Sequence, residues 1–348
     1  MRWLFRCNVA SERFADDDAD VQGIGHAMRC LSVARAAEAA GDVAMFTIEG
    51  ADDIVPFLEK TGLDFRLNRD HFDVAQRYDP DVVVTDVNYC DRRAVERFRD
   101  IAPVVNLAPR GEVKYYADLT FTSEAIRDVP EPDDAMFDRW YSGPEYTIIS
   151  DDFVRRRAVM DGADPPVERG KVVINMGGVD ESDRTGKVLE LLSADLVERL
   201  DLTITAGPFN PNADALRARC DELGGAVEFL HAPDDLAAVL SGSEFAVLGA
   251  GISTYEALAI GVPSLNVGLS SFHDERGAVL ESEDLGVYLG NVEDLTADRV
   301  NDTIGSLLGG DDRLDRIRSK GFHAVDGSAS EQILSRVRTY LNDGSSRE

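Results

Sequence analysis

The sequence predicts an α/β protein of two Rossmann-like, doubly wound parallel-sheet domains facing a cleft. Three observations carry the prediction. Short apolar runs rich in Val, Leu, Ile and Ala alternate with amphipathic stretches along the whole chain, the pattern of strands covered by helices on both faces. The chain has 348 residues, long for one domain, so two are expected. The rhythm also starts twice, each time with a glycine-rich turn after a first strand, at Gly23/Gly25 and at Gly177/Gly178.

The elements follow in order. A strand is read over 3–9, then the turn Gly23-Ile24-Gly25, then a helix over 27–40. Met28, Leu31, Val33 and Ala34 lie on or near one face of that helix, and Gly41 stands just past its end. Further strand runs are 43–46, 82–84 and 104–107, with a short one at 119–121 before Gly143-Pro144-Glu145-Tyr146. The second half repeats the pattern at 172–174, 202–204, 227–230, 245–248, 264–267 and 286–289. A Gly/Pro-rich break at 161–166 separates the halves. The expected division is a domain over 1–150, a linker over 151–170, and a second domain over 171–348 that includes the C-terminal helices. Ligands of such sheets bind at the carboxyl ends of the strands, so both glycine turns are expected to face one cleft. Aromatics are 7% of the chain, so both cores are expected to be mainly aliphatic.

Charge excludes several function classes. There are 65 acidic and 36 basic residues, a net charge of −29. Only five of the bases are lysines, leaving 36 − 5 = 31 arginines. This surface resembles that of proteins from salt-loving microbes, where salt screens self-repulsion. It would repel a phosphate backbone or an anionic membrane. Cys7, Cys30, Cys90 and Cys220 form no C-x-x-C pair, which points to a reducing compartment and no zinc site. The first ten residues lack a signal-peptide core, and no apolar run is long enough to span a bilayer. The expectation is a soluble, cytoplasmic protein, a monomer or weak homodimer, that needs no metal and no cofactor. His71, His231, His273 and His323 are too scattered to be read as ligands. The acidic segment 12–20 reads as a surface loop.

Two constellations carry chemistry. The first is Gly23-Ile24-Gly25-His26-Ala27-Met28-Arg29-Cys30. Glycines let the backbone turn sharply and approach a ligand. A histidine at a helix start exchanges protons near neutral pH, and the positive end of the helix favours its neutral, basic form. The second is Gly249-Ala250-Gly251-Ile252-Ser253-Thr254-Tyr255-Glu256, which opens a helix after a buried strand. Its N–H groups and the hydroxyls of Ser253 and Thr254 suit a phosphate, and Glu256 suits a ribose diol. The same three side chains also fit two N-cap residues and a solvated helix residue.

Four segments, GIGHAMRCLSVA (23–34), GPEYTIISDDF (143–153), VVINMGGVD (172–180) and GAGISTYEALAIGVPS (249–264), resemble in this order the nucleotide-sugar hydrolases of the pseudaminic-acid pathway and the related spore-coat polysaccharide proteins. The resemblance covers roughly residues 1–290 and implies the GT-B glycosyltransferase fold. It implies that water removes UDP from an amino-deoxy sugar, with His26 as general base. Gly177 and Gly178 would approach the diphosphate, Gly251, Ile252, Ser253 and Thr254 would contact the phosphates, and Glu256 the ribose. Leu230 and His231 match the position that reads the base. Gly25, Arg29, Asp86, Tyr89, His273 and Glu275 would face the sugar.

The chain departs from the family pattern in places. Ile252 stands where a serine is frequent. The Asp-x-Tyr of the family is here Asp86-Val87-Asn88-Tyr89, and its Asn-Gln pair is here His273-Asp274-Glu275. Two other functions fit the same segments. One is a GT-B glycosyltransferase using a UDP-sugar donor, since His273-Asp274-Glu275-Arg276 is similar to donor-sugar contacts in the transferases that glycosylate lipid-linked muramyl peptide. The other is a non-catalytic nucleotide-sugar binder or epimerase-like relative.

Overall fold

β1 (Arg2–Asn8) is apolar on both faces, with Trp3, Leu4, Phe5 and Cys7 wholly buried. Such a strand needs a neighbour on each side and helices above and below. The computed structural model describes residues 1–9, 25–50, 55–87, 92–109, 115–123, 139–160, 165–208, 210–224, 227–309 and 312–344. In it β1 is followed by α1 (Gly25–Ala39), β2 (Val43–Glu49), α2 (Val55–Thr61), β3 (Phe65–Leu67), α3 (His71–Tyr78), β4 (Val82–Asp86), α4 (Arg92–Arg99), β5 (Val104–Leu107), β6 (Leu119–Thr122) and β7 (Trp140–Ser142). Local chemistry sets the helix limits. Gly41 takes φ +86° just past α1, a left-handed helix end that glycine accepts. Asp70 starts α3 by accepting the N–H groups of Phe72 and Asp73, at 2.9 and 3.0 Å.

The seven strands described here form one parallel sheet in the order β3-β2-β1-β4-β5-β6-β7. The order reverses direction between β1 and β4. One face packs Leu4, Val83 and Val104 against Ala75, Tyr78, Val95 and Phe98 of α3 and α4. Phe5 and Phe46 stack at 4.9 Å and Phe121 and Tyr141 at 5.1 Å. The aromatics are concentrated in this unit, whose buried residues are still mainly Val, Leu, Ile and Ala, as expected.

The second unit opens with α5 (Asp151–Met160), then β8 (Glu168–Asn175), α6 (Arg184–Leu191), α7 (Ala194–Arg199), β9 (Asp201–Ala206), α8 (Ala213–Glu222), β10 (Val227–His231), α9 (Leu236–Leu240), β11 (Ser243–Gly249), α10 (Ile252–Ala259), β12 (Ser264–Gly268), α11 (Ser271–Ser282), β13 (Val287–Asn291), α12 (Ala297–Leu308) and α13 (Arg313–Ala324). Its six described strands are parallel, in the order β10-β9-β8-β11-β12-β13. All seven residues of β11 are buried, and the reversal lies between β8 and β11.

The division of the chain differs from the expected one at two points. The units are Met1–Ser150 with Ser328–Glu348, and Asp151–Gly327. α5 is no linker, because Phe153 is buried and Arg157 Nη1 donates to the Ala259 carbonyl at 2.8 Å. The last helix, α14 (Ala329–Gly344), joins the first unit. Arg338 bonds Asp42 at 2.8 Å and the Tyr340 hydroxyl bonds Asp118 at 2.9 Å. Residues 161–164 and the acidic segment 12–20 lie outside the described residues. Among those described, no helix is long and apolar enough to cross a membrane.

Candidate functional site

The reversal point of the first sheet brings Cys7 of β1 beside Asp86 of β4, and α1 begins over that edge. His26 and Arg29 stand one helical turn apart on α1 and so share a face. His26 Nδ1 lies 2.6 Å from Asp86 Oδ1. Arg29 holds the same carboxylate with two bonds, Nε to Oδ2 at 2.8 Å and Nη2 to Oδ1 at 2.7 Å. The Asp86 side chain is wholly buried and the His26 ring is 11% exposed. Burial by itself would raise the Asp86 carboxyl. The Arg29 charge, then His26 and their hydrogen bonds outweigh burial and hold it below the usual carboxylate range.

This geometry selects a tautomer. Ionised Asp86 can only accept, so the 2.6 Å contact requires a proton on Nδ1. Arg29 Nη2 also lies 2.9 Å from Nδ1. It too can only donate, and Oδ1 receives both donors. The ring's hydrogen bonds to described residues all fall on Nδ1, which leaves the Nε2 lone pair for a proton in transit.

Side chains do less at the reversal point of the second sheet, and backbone does more. Asn175 ends β8. Its Oδ1 accepts the Gly177 N–H at 2.9 Å and its Nδ2 donates to Thr205 Oγ1 at 2.6 Å. Gly177 has φ +105°, a conformation side-chain-bearing residues rarely adopt. Among the described residues, a Cβ at Gly177 or Gly178 would meet nothing within 4 Å. The loop after β9 closes against them. A Cβ on Gly207 would lie 2.3 Å from Gly178 Cα. Asp180 fastens the start of α6, accepting the N–H groups of Arg184 and Thr185 at 2.8 and 2.9 Å and the Thr185 hydroxyl at 2.6 Å.

β11 runs through Gly249 into α10, whose N-cap is Gly251 with no side-chain capping bond. No N-cap side chain therefore takes up the first-turn N–H groups, the groups that favour an anion at a helix start. Ile252 and Ser253 are half-buried there.

Several expected contacts stand elsewhere. Thr254 is wholly buried and donates to Asn266 Oδ1 at 2.7 Å, so its hydroxyl ties α10 to β12 and does not face a phosphate. Asp86 is likewise corrected from a sugar contact to the partner of His26. Glu256 is buried at 8% exposure on α10. Leu230 and His231 end the edge strand β10, the first half-buried and the second exposed. His273 bonds Ser270 Oγ through Nδ1 at 2.8 Å, and Glu275 is exposed. Between them Asp274 is held by the Tyr288 hydroxyl at 2.6 Å and Asn291 at 3.0 Å, a structural role. Gly25 opens α1, and among the described residues a Cβ there would meet the tip of Arg29, at 3.9 Å. Gly23 and Tyr89 lie outside the described residues. Among those described, no group of three His, Cys, Asp or Glu could hold a metal.

Sequence reasoning missed Asn175, Asp180 and the pairing of His26 with Asp86. A polar residue closing an apolar strand was the available signal for Asn175 and Asp86.

No family model matches the chain. It is similar to the uncharacterized protein MJ1062 of Methanocaldococcus jannaschii, 23% identical over 260 residues, covering 71% of this chain and 53% of that protein. It is also similar to the spore coat polysaccharide biosynthesis protein SpsG of Bacillus subtilis, 28% identical over 130 residues, covering 36% of this chain and 37% of that one. The chain thus spans about half or less of the length of these curated relatives. Among solved structures it resembles MurG of Acinetobacter baumannii, with TM-score 0.65 and 14% identity, covering 97% of this chain and all of that one. The spinosyn rhamnosyltransferase SpnG complexed with thymidine diphosphate gives 0.65 and 14%, over 96% and 100%. The UDP-GlcNAc 2-epimerase of Neisseria meningitidis bound to UDP-GlcNAc gives 0.64 and 12%, over 97% and 100%. At these identities the likeness shows the fold, and the fold is GT-B.

Proposed function

We propose that the protein is an enzyme that hydrolyses a UDP-activated amino-deoxy sugar to free sugar and UDP, in nonulosonic-acid or surface-polysaccharide biosynthesis. The second unit holds the nucleotide and the first supplies the base. The observation that carries this reading is the buried Asp86 carboxylate bonded to His26 Nδ1 at 2.6 Å. It holds the imidazole in the tautomer that a base needs. Asp86 also stabilises the imidazolium formed when Nε2 takes a proton. Water oxygen bonds to the anomeric carbon, its proton passes to Nε2, and the bond from that carbon to the diphosphate oxygen breaks with its electrons on UDP. Backbone N–H groups at the start of α10 and around Gly177 and Gly178 suit the charge that develops on the leaving group. SpsG is named for polysaccharide biosynthesis, and the epimerase relative binds UDP-GlcNAc. Both support a nucleotide-sugar substrate.

A second reading, glycosyl transfer, is favoured by the transferases among the structural relatives. There the same Nε2 would deprotonate an acceptor hydroxyl. Mass spectrometry of UDP-amino sugars incubated with the protein in molar KCl, with and without acceptor, separates the two. Free sugar without acceptor is the expected product. Turnover only with acceptor would replace hydrolysis by transfer, and no turnover in either arm would overturn both.

A further inference from the structure

Arg184 is the first residue of α6, immediately after the loop that carries Gly177 and Gly178. Its Nη2 ends on the Leu269 carbonyl, a long contact of 3.5 Å. Leu269 follows β12, and its Cδ1 would lie 2.7 Å from a Cβ on Gly249. The strand order places β11 between β8 and β12. A side chain that starts beside β8 and ends on the residue after β12 therefore crosses the end of β11, where the Gly249–Gly251 turn lies.

Two other cations of this edge have carboxylate partners, and a third, Arg276, donates to the Ala250 carbonyl at 3.5 Å and lies over the Phe272 ring at 4.7 Å. Lys187 pairs with Glu293 at 2.7 Å, and Arg219 pairs with Asp183 and with Glu190. Arg184 differs from them. Its Nε is buried with no hydrogen-bond partner, and its bond to Leu269 joins a full charge to a neutral carbonyl. Glu293 is near enough to feel this charge, but among the described residues no hydrogen bond joins them, and a guanidinium with an unpartnered Nε beside two glycine turns matches an oxyanion with several acceptor atoms.

We infer that Arg184 is a contact for the diphosphate of the bound nucleotide, swinging from the Leu269 carbonyl to the phosphate oxygens. The inference rests on the reading of the second unit as the nucleotide site. In the reaction the guanidinium would offset the charge that appears on UDP as the sugar–oxygen bond breaks.

Calorimetric titration of the whole protein with UDP and with uridine tests it. Uridine lacks the phosphates, so the ratio of the two affinities isolates them. Arg184→Met is expected to weaken UDP about 10- to 100-fold and leave uridine unchanged. Arg184→Lys keeps the charge without the fork and should lose less. If Arg184→Met unfolds, as its melting curve would show, the ratio is read from Arg184→Lys. An unchanged ratio in the folded variant, with UDP still bound by the wild type, overturns the contact and leaves the nucleotide reading standing. A wild type that binds neither ligand overturns both.

Discussion

The two sheets reverse direction at equivalent places, yet they equip those places differently. At β1/β4 the edge is built from side chains. His26, Arg29 and Asp86 form one bonded, buried cluster that carries charge and a transferable proton. At β8/β11 the edge is built from backbone. Gly177, Gly178 and Gly251 border the turns, while Asn175, Asp180 and Thr254 spend their polar atoms holding the loops. Moving a proton requires one titratable group in one orientation. Holding a diphosphate requires several N–H groups and room for its oxygens. Under the proposed function, the same fold would meet these two demands with different parts of the chain.

The largest effect that would sharpen this contrast belongs to His26. His26→Ala is expected to lower turnover about 10²–10⁴-fold while UDP binding stays intact. Wild-type turnover in that variant would make the first cluster structural and erase the contrast.

Asp86→Asn should come next. It removes the buried charge that accepts from both His26 and Arg29. Removing one partner of a buried pair costs roughly 3–5 kcal/mol, here near the lower end because Arg29 keeps some solvent contact. The pH dependence distinguishes this loss from a packing defect. The Asp86 carboxyl is held below its ordinary value, so the pair stabilises the fold above about pH 4 and that stability is lost as pH falls lower. Wild-type stability should therefore drop below about pH 4 more steeply than that of the variant in acid denaturation. Both should share a separate loss between about pH 6.5 and 4. There His71, pushed down to about 4 by burial and then by Arg6, refuses a proton that the unfolded chain accepts. Parallel curves below pH 4 would show that Asp86 is not the group titrating.

The second edge should answer to binding rather than to rate. Glu256→Ala is expected to weaken UDP by about 1.5–3 kcal/mol with a smaller change in turnover, if the carboxylate accepts the ribose hydroxyls. Equal affinity of the wild type for UDP and a 2′,3′-dideoxy analogue would remove Glu256 from the ribose site. The smallest effect is assigned to Thr254→Val. It should lower stability by about 1 kcal/mol through the lost bond to Asn266, with UDP affinity unchanged. A selective loss of UDP affinity would return the Thr254 hydroxyl to the phosphates.

Much of the fold was legible because central parallel strands announce themselves. The apolar runs at 82–84 and 245–248 are the cores of β4 and β11, buried along their whole length. The strands that escaped notice are β3 and β7, three residues each at the sheet ends. Only one side of an edge strand is paired, so neither has a continuous apolar run to betray it. Of the first cluster, the sequence marked His26 through its glycine turn, and the family resemblance marked Asp86, as a sugar contact. Neither could pair them, because 60 residues separate the two.

The sequence by itself determined the α/β alternation, the two halves and the places where glycine turns meet helix starts. These depend on periodicity, turn chemistry and backbone freedom, which act over a few residues. Tertiary structure decided the rest. It set β4 beside β1 and so gave His26 a buried carboxylate. It turned Thr254 inward to Asn266, where helix register alone left both directions open. It carried α14 back to Asp42 and Asp118 of the first unit. Each of these depends on strand order and on which buried polar group can find a partner, and those are properties of the packed chain.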